Sequence, residues 1–312
     1  MGSIVEVHEL TKRFGELTAV DGVSFSIDQG EMFGLLGPNG AGKTTTISMI
    51  SCLLTPDDGR IVVDGHDTAS DSIGVKRSLG IVPQEIALYP TLTASENLDF
   101  WGRMYGLTGR ALKQAVDDAL ELAGLADRSK ERIETYSGGM KRRINIAAGI
   151  LHKPRVLLMD EPTVGIDPQS RNHILATVKD LNAVGITVLY TSHYMEEVEY
   201  LCDRIAIMDH GTIIATGTLN ELRDVVGGMD VVEVAVAGVD EALVAEARTI
   251  AGIEQIDSGD GALRVLTRSS GSILGGLIST LESRGAHVTS VSVTEPNLES
   301  VFLHLTGKSL RD

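Results

Sequence analysis

The chain has 312 residues, which predicts two domains, or one domain with an appendage. Its hydrophobic content of 43% and charged content of 22% exclude a disordered chain, and no apolar run approaches the ~18–20 residues that span a bilayer. The net charge of −16, from 43 acidic and 27 basic residues without a basic stripe, disfavours a nucleic-acid partner.

The first segments of the chain are typical of β-strands. Apolar and polar residues alternate over 4–7 and over 23–27, and a further strand-like segment at 61–63 follows turn residues at 57–59. Residues 33–36 form a short apolar run, which predicts a buried strand.

A glycine-rich run directly after this buried strand is the most informative feature of the chain. It matches the phosphate-binding loop pattern of a glycine, four free positions and Gly-Lys-Thr. Successive backbone N–H groups of such a loop point at one phosphate, and a helix beginning near Gly42 adds its positive dipole end. Lys43 is expected to reach the β- and γ-phosphates, and the Thr44 hydroxyl to bind Mg²⁺. The predicted nucleotide-binding loop consists of Gly37, Pro38, Asn39, Gly40, Ala41, Gly42, Lys43, Thr44 and Thr45.

The alternative for this loop is a glycine-rich turn with a solvated lysine. The flanking sequence argues against it, because an apolar strand pattern precedes the loop and a helical pattern follows it at 45–50. Strand, loop and helix in this order are the context that a phosphate site requires.

Residues 91–152 change in character and are predicted to be helical. The apolar residues of one helix recur at spacings of three and four, and Gly124 marks its end. These apolar residues are Leu112, Val116, Ala119, Leu120 and Ala123. Strands lie before and after this block, so we interpret it as a helical insert.

Strands and helices alternate after the insert. Strands are predicted at 156–159, 186–190 and 205–208, with helices at roughly 170–184 and 194–202 between them. This alternation predicts an α/β fold with a parallel sheet at its core.

Two acidic residues follow the first of these strands. Asp160, at the end of an apolar strand and opposite a phosphate loop, is positioned to hold the Mg²⁺ shell. Glu161 would then contact the water that attacks the γ-phosphate, as a general base or as a water-orienting group. The alternative is an ordinary acidic strand end before a turn at Pro162. The phosphate loop elsewhere in the chain favours the catalytic interpretation.

The C-terminal part of the chain predicts a second, smaller domain. Its strand and helix patterns follow the order β-α-β-β-α-β of a ferredoxin-like α+β domain, and a last helix is expected at about 296–306. We therefore predict an ATP-binding-type domain at 1–224 and an accessory domain at 229–312, joined by a link at 225–228.

Five further features are each similar to a motif of the ABC-type ATPases. Residues 136–140, Tyr-Ser-Gly-Gly-Met, resemble the signature motif of that family. Gln84 resembles its Q-loop glutamine, residues 164–167 its D-loop, and His193 its switch histidine. Phe14 lies where the family has an adenine-stacking aromatic residue. The order and spacing of these motifs cover roughly residues 4–220, and the set as a whole is specific.

Each of these residues also has a purely structural alternative. Ser137 begins a helical pattern and is a normal helix N-cap. Gln84 alone would be a surface amide, and a single histidine such as His193 at a strand end is more often structural. Phe14 could be a core residue. The family resemblance favours the functional interpretation of all four.

The resemblance implies a P-loop ABC-type ATPase with an antiparallel β N-terminal subdomain, a parallel core, a helical subdomain at about 91–152 and the α+β C-terminal domain. It implies ATP and Mg²⁺ as cofactors and a head-to-tail dimer, formed with an identical or a similar subunit. Each ATP would contact one subunit's loop and the other subunit's signature motif. The implied catalytic residues are Lys43, Gln84, Glu161 and His193. The implied metal ligands are Thr44, Gln84 and Asp160. The implied signature contacts are Ser137, Gly138 and Gly139.

The signature departs from the commonest form of the family, Leu-Ser-Gly-Gly-Gln, at Tyr136 and Met140. Together with the basic residues at 141–143 and the tail at 294–307, this variant resembles exporter ATPases of the drug-resistance and ABC-2 type. The resemblance implies a subunit peripheral to the cytoplasmic face of the membrane, acting on a separate permease through the segment 85–101. It implies no nucleic-acid partner. An importer ATPase is the alternative, and an ABC ATPase acting on nucleic acid or ribosomes is a weaker one. The transported substrate does not follow from this sequence.

Overall fold

The computed structural model of the chain describes residues 2–225, 228–237, 241–259, 262–284, 286–294 and 297–306. The chain divides into two compact units, with the boundary between Thr218 and Leu219. The helix at 219–225 therefore groups with the second unit, whereas the sequence analysis drew the domain boundary after residue 224. Parts of the expected link at 225–228 and of the tail at 294–307 lie outside the described residues.

The first unit contains two sheets and their flanking helices. Its strands are β1 Ser3–Phe14, β2 Leu17–Asp28, β3 Met32–Leu36, β4 Asp58–Val63, β5 His66–Asp67, β6 Leu79–Val82, β7 Val156–Asp160, β8 Thr187–Ser192, β9 Arg204–Asp209 and β10 Thr212–Gly217. Its helices are α1 Lys43–Ile50, α2 Ser72–Ser78, α3 Ala94–Met104, α4 Gly109–Leu122, α5 Gly138–Ile150, α6 Pro168–Ala183 and α7 Met195–Leu201.

The predicted α/β core is confirmed. The central sheet has the order β10-β9-β3-β8-β7-β6, and all neighbouring strands are parallel except β10, which pairs antiparallel with β9. Every residue of β3, β7 and β8 is buried, as expected for parallel strands that are covered on both faces. The carboxyl ends of these strands meet at one edge of the sheet, where α/β folds bind their ligands.

The N-terminal sheet has the order β2-β1-β4-β5 with antiparallel pairs. Its strands β1 and β2 are much longer than the predicted segments 4–7 and 23–27. Polar residues interrupt the alternation in both strands, and the pairing of β1 with β2 contains several register shifts. A local pattern of period two therefore detects only part of each strand.

The helical insert forms its own core from α3, α4 and α5. Leu98, Leu120 and Ile144 are among the buried residues of this cluster. Helix α3 begins with a capping box between Thr93 and Glu96. Gly124, with φ of +62°, follows the end of α4, as its position in the sequence predicts.

The second unit has the predicted β-α-β-β-α-β order. It comprises α8 Leu219–Val225, β11 Asp230–Ala237, α9 Glu241–Ala247, β12 Ile253–Gly259, β13 Ala262–Thr267, α10 Ser270–Ser283, β14 His287–Thr294 and α11 Leu298–Thr306. The antiparallel sheet has the order β12-β13-β11-β14, so α9 and α10 each connect two strands that are separated by a third. None of the helices in the described part of either unit combines the length and apolar character that a membrane crossing demands.

Candidate active site

The glycine-rich loop connects the buried strand β3 to helix α1 at the carboxyl edge of the central sheet. Gly42 caps α1 with φ of +106°, a conformation that favours glycine. A Cβ atom at this position would also lie 2.5 Å from the backbone oxygen of Ala19. The Thr44 side chain is exposed, and its hydroxyl is available at the first turn of the helix. The loop is therefore shaped by close packing, and the helix N-terminus that follows it is suited to bind an anion.

Lys43 is buried within this loop. Its side chain is 4% exposed, and Nζ donates hydrogen bonds to the backbone oxygens of Gly37 at 2.7 Å and Pro38 at 3.1 Å. The same Nζ lies 2.9 Å from Oε1 of Glu161. The ammonium group is thus held inside the loop, and it is a cation suited to phosphate oxygens.

Asp160 is the last residue of strand β7 and pairs with Thr191 of the parallel neighbour β8, and Glu161 follows directly after the strand. The Thr191 hydroxyl donates to Oδ1 of Asp160 at 2.8 Å and accepts from the backbone N–H of Glu161 at 3.0 Å. Both acidic side chains are nearly buried. Glu161 has φ of +44°, an unusual conformation for a residue other than glycine, and such strain is often found at functional sites.

The Glu161 carboxylate bridges two predicted catalytic residues. Its Oε1 contacts Lys43, and its Oε2 lies 3.0 Å from Nδ1 of His193. Since a carboxylate only accepts hydrogen bonds, His193 donates from Nδ1 in this arrangement. The geometry brings a candidate general base, the predicted phosphate-binding lysine and a histidine to one point at the sheet edge.

The predicted metal ligands have the chemistry that Mg²⁺ requires. Thr44, Asp160 and Gln84 offer a hydroxyl, a carboxylate and an amide oxygen, which are hard ligands of the kind that Mg²⁺ prefers. The described residues contain no group of three histidine, cysteine or acidic side chains that could hold a metal alone. Mg²⁺ takes few protein ligands and completes its shell with phosphate oxygens and water.

Gln84 follows β6 and lies on the surface, away from the contacts of Glu161. The backbone around it is held by Arg142 of α5, whose guanidinium donates to the oxygen of Pro83 at 2.7 Å and to the oxygen of Gln84. Arg142 is 3% exposed, and this burial lowers the pKa of its guanidinium. The Q-loop backbone is therefore tied to the helix that carries the signature motif.

The signature motif forms the N-terminus of α5. The Ser137 hydroxyl caps the helix by accepting a hydrogen bond from the Met140 N–H at 3.3 Å. Ser137 is therefore a helix N-cap, as its structural interpretation in the sequence analysis predicted. Ser137 and Gly138 are exposed, whereas Gly139 is buried and its missing Cβ would lie 2.1 Å from Oγ of Ser170. Within residues 2–225, no hydrogen bond joins Ser137–Gly139 to the glycine-rich loop.

Phe14 lies at the end of β1, next to the turn that leads into β2. Its side chain is 49% exposed, so it is not a core residue. The Nζ of Lys12 lies 5.7 Å from the centre of its ring. The ring is accessible for stacking, but it makes no contact with Lys43, Glu161 or His193 in the described structure.

Two supporting residues were not identified from the sequence. Arg142 was noted only as part of a basic run, although its carbonyl contacts join the Q-loop to α5. Glu197 is a buried carboxylate on α7, close to His193. The sequence contains one signal for Glu197. It shares one face of the helix with the apolar residues Val198 and Leu201, which is the face expected to be buried.

Comparisons with known proteins agree with these features. A family profile described as ABC transporter matches residues 20–164. The chain is 51% identical to the linearmycin resistance ATP-binding protein LnrL of Bacillus subtilis, over 99% of this chain and 100% of that protein. It is 38% identical to the daunorubicin resistance ATP-binding protein DrrA3 of Streptomyces coeruleorubidus, over 98% of this chain and 97% of that protein. It is 39% identical to the Nod factor export ATP-binding protein I of Ralstonia nicotianae, over 99% and 95%.

Solved structures show the same fold. An ATP-binding subunit of an ABC transporter aligns with a TM-score of 0.66 and 31% identity, over 72% of this chain and 94% of that chain. The ATP-binding cassette MJ0796, in a dimeric post-hydrolysis state with ADP and Pi, aligns with a TM-score of 0.63 and 27% identity, over 69% and 98%. The resemblance drawn from the motifs is confirmed, and this chain belongs to the ABC transporter family as one of its ATP-binding ATPases.

Proposed function

We propose that this chain is the ATP-hydrolysing subunit of an exporter, working as a dimer on a separate membrane permease. The names of the three relatives support export, because two refer to drug resistance and one to export. The variant signature and the C-terminal tail favour the same group over importers.

The observation that carries the ATPase proposal is the position of the Glu161 carboxylate between Lys43 and His193. Hydrolysis requires a base or orienting group beside the γ-phosphate, and Lys43 marks where that phosphate binds. Glu161 then activates or orients the attacking water, and His193 holds Glu161 and contacts the γ-phosphate. Thr44, Asp160 and Gln84 would hold Mg²⁺, which would supply positive charge to neutralise the phosphates.

The exposed signature motif supports a head-to-tail dimer. Ser137 and Gly138 present the open N-terminus of α5, which attracts an anion, yet this surface makes no hydrogen bond with the loop of its own chain. In the dimer, Ser137 and Gly139 of one subunit would contact the γ-phosphate bound to the other. The triphosphate then joins the subunits, and hydrolysis lets them separate.

The segment after Gln84 is suited to pass this movement to a permease. Asn97 of α3 is fully buried, and its amide exchanges hydrogen bonds with the backbone N–H and carbonyl of Tyr89. The Trp101 indole donates to the backbone oxygen of Ala87 at 3.2 Å. The partly exposed rings of Tyr89 and Phe100 meet edge to face at 5.0 Å. These aromatic residues form a surface for a permease segment at the cytoplasmic face of the membrane.

The test of the ATPase proposal is Glu161→Gln. We expect ATP binding to persist, turnover to fall by about a hundredfold or more, and an ATP-dependent dimer to accumulate. Phosphate release, equilibrium ATP binding and size-exclusion chromatography measure these three quantities. Glu121→Gln, which changes an exposed glutamate on α4, is the matched control and should behave as wild type. Normal turnover by Glu161→Gln would remove Glu161 from its role.

The transport partner is tested by recovery of the tagged full-length chain from its own cells. We expect it in the membrane fraction, together with a polytopic membrane protein whose recovery is reduced by substitution of Tyr89 and Phe100 by alanine. Recovery with ribosomes or nucleic acid alone would instead support the non-transport ABC ATPases.

A further inference from the structure

Glu197 of helix α7 is a fully buried carboxylate with four hydrogen-bond donors. Its Oε1 accepts from the Thr163 hydroxyl at 2.7 Å and from Nε of Arg171 at 2.5 Å. Its Oε2 accepts from the Tyr190 hydroxyl at 2.8 Å and from the Ser192 hydroxyl at 3.0 Å. Two donors for each oxygen satisfy a carboxylate completely.

These donors come from the segments that carry the catalytic residues. Thr163 lies two positions after Glu161, and Ser192 lies immediately before His193. The Ser192 hydroxyl also accepts from the N–H of Tyr194 at 2.9 Å, which fixes the turn on which His193 is carried. Glu197 is therefore bonded to both segments whose side chains meet in the Glu161–His193 contact.

The other two donors attach this carboxylate to the surrounding framework. Tyr190 belongs to the buried strand β8, and burial raises the pKa of its hydroxyl well above the usual value, so that it remains a donor. Arg171 lies in the first turn of α6, directly after the D-loop at 164–167. Arg171 therefore joins α6 to the carboxylate through a charge-assisted hydrogen bond.

We propose that Glu197 is a positioning residue for ATP hydrolysis, which holds Glu161 and His193 in the alignment that the reaction requires. This inference rests on the proposed ATPase function. Glu197 does not touch the nucleotide in this role. It sets the turn that carries His193 and the loop that carries Glu161, so its loss should reduce catalysis more than nucleotide binding.

Packing alone does not explain a carboxylate at this position. The neighbouring residues on the same helix face, Val198 and Leu201, are apolar. An apolar side chain at position 197 could be buried without the desolvation penalty that a carboxylate carries. A buried charge is costly unless its donors are well placed, and here three separate segments supply them: the loop after β7, helix α6 and strand β8. The chain keeps four polar groups around a point that adjoins two catalytic residues.

Glu197→Gln is the principal test, and Glu196→Gln is its matched control. Glu196 is the adjacent residue, its side chain is 92% exposed, and it forms an ion pair with Arg171 at 3.9 Å. For Glu197→Gln we expect kcat to fall by about ten- to a hundredfold, as misplacement of catalytic groups predicts, with the Kd for ATP changed by less than about twofold. Glu196→Gln should have the kcat and the Kd for ATP of the wild-type protein.

The measurement must separate positioning from folding. Turnover is expressed for each bound nucleotide, by titrating ATP-binding sites in the same sample. A merely structural role would lower the thermal midpoint and the number of binding sites but leave turnover for each occupied site unchanged. A positioning role lowers turnover at fully occupied sites. In the Glu161→Gln background, Glu197→Gln should cause little further loss, because the group that it aligns is already disabled.

A second pair of variants tests the same inference if the Glu197→Gln protein does not fold. Thr163→Val removes one donor to Glu197 without changing side-chain volume, and we expect a several-fold loss of kcat. Thr177→Val is its control, because that hydroxyl bonds only to the His173 carbonyl within α6. Wild-type kcat in both Glu197→Gln and Thr163→Val would overturn the inference. If Glu161→Gln alone abolished turnover, the proposed function would stand while this inference failed.

Discussion

The two units of this protein differ in what they bury. The first unit encloses charged and polar groups at the carboxyl edge of its sheet, among them Lys43, Asp160, Glu161 and Glu197. Among the described residues of the second unit, Thr267 is the one buried polar residue. Both units have an apolar core, so the difference lies in groups that cost free energy to bury.

The second unit is stabilised by regular packing. Val232, Val234 and Val236 alternate on one face of β11, and Leu277 and Leu281 recur at a spacing of four on α10. Its ion pairs, such as Arg284 with Glu246, are exposed and contribute about 0–1 kcal/mol. No charged residue is among the buried residues described in the second unit, so we infer that the buried charges of the first unit serve its proposed reaction rather than its stability.

Lys43→Ala should give the largest effect and tests the functional side of this comparison. Charge-assisted hydrogen bonds are worth roughly 1.5–3 kcal/mol each, so losing two phosphate contacts should weaken ATP binding by about a hundredfold or more. Equilibrium titration with ATP and Mg²⁺ measures the affinity. Lys76→Ala, at an exposed position on α2, should bind normally. Unchanged affinity in Lys43→Ala would mean that the glycine-rich loop is not the nucleotide site.

Leu277→Ala tests the packing side of the comparison. Leu277 is fully buried, so its substitution by alanine should lower the free energy of unfolding of the second unit by about 2–5 kcal/mol, because the smaller side chain leaves a cavity. Hydrogen exchange should show lost protection in α10 and β11, with ATP affinity within about twofold of wild type. Val293→Ala, at a 40% exposed position on β14, should change stability by less than about 0.5 kcal/mol. Equal losses in both variants would contradict a core centred on α10.

Phe14→Ala should have the smallest effect on ATP binding and stability, because about half of the Phe14 side chain is exposed. Loss of a stacking ring should weaken ATP binding by about two- to tenfold, from the roughly 0.5–1.5 kcal/mol of an aromatic contact. Thermal stability should barely change, and Phe14→Trp should restore affinity. Leu17→Ala is the control, because Leu17 pairs with Phe14 across the hairpin and is 65% exposed. Equal affinity in Phe14→Ala and wild type would exclude stacking by this ring.

The sequence by itself determined those features that are written in contiguous residues. The loop at 37–45, the apolar strand before Asp160 and the β-α-β-β-α-β order of the second unit each follow from a short local pattern. Alternating strands and helices then predicted the parallel sheet. The strands β1 and β2 were only partly detected, because register shifts and exposed polar residues interrupt their alternation.

Only the tertiary structure decided which polar groups share a buried point. Parallel strands align residues that are far apart in the chain, so Glu161 meets Lys43 and His193 at one sheet edge. The spacing of Glu197 places it on an otherwise apolar helix face, but the groups that Glu197 and Arg142 contact do not follow from the sequence. A charged side chain has the same local pattern whether it faces water or donors from distant segments, and burial depends on how those segments pack.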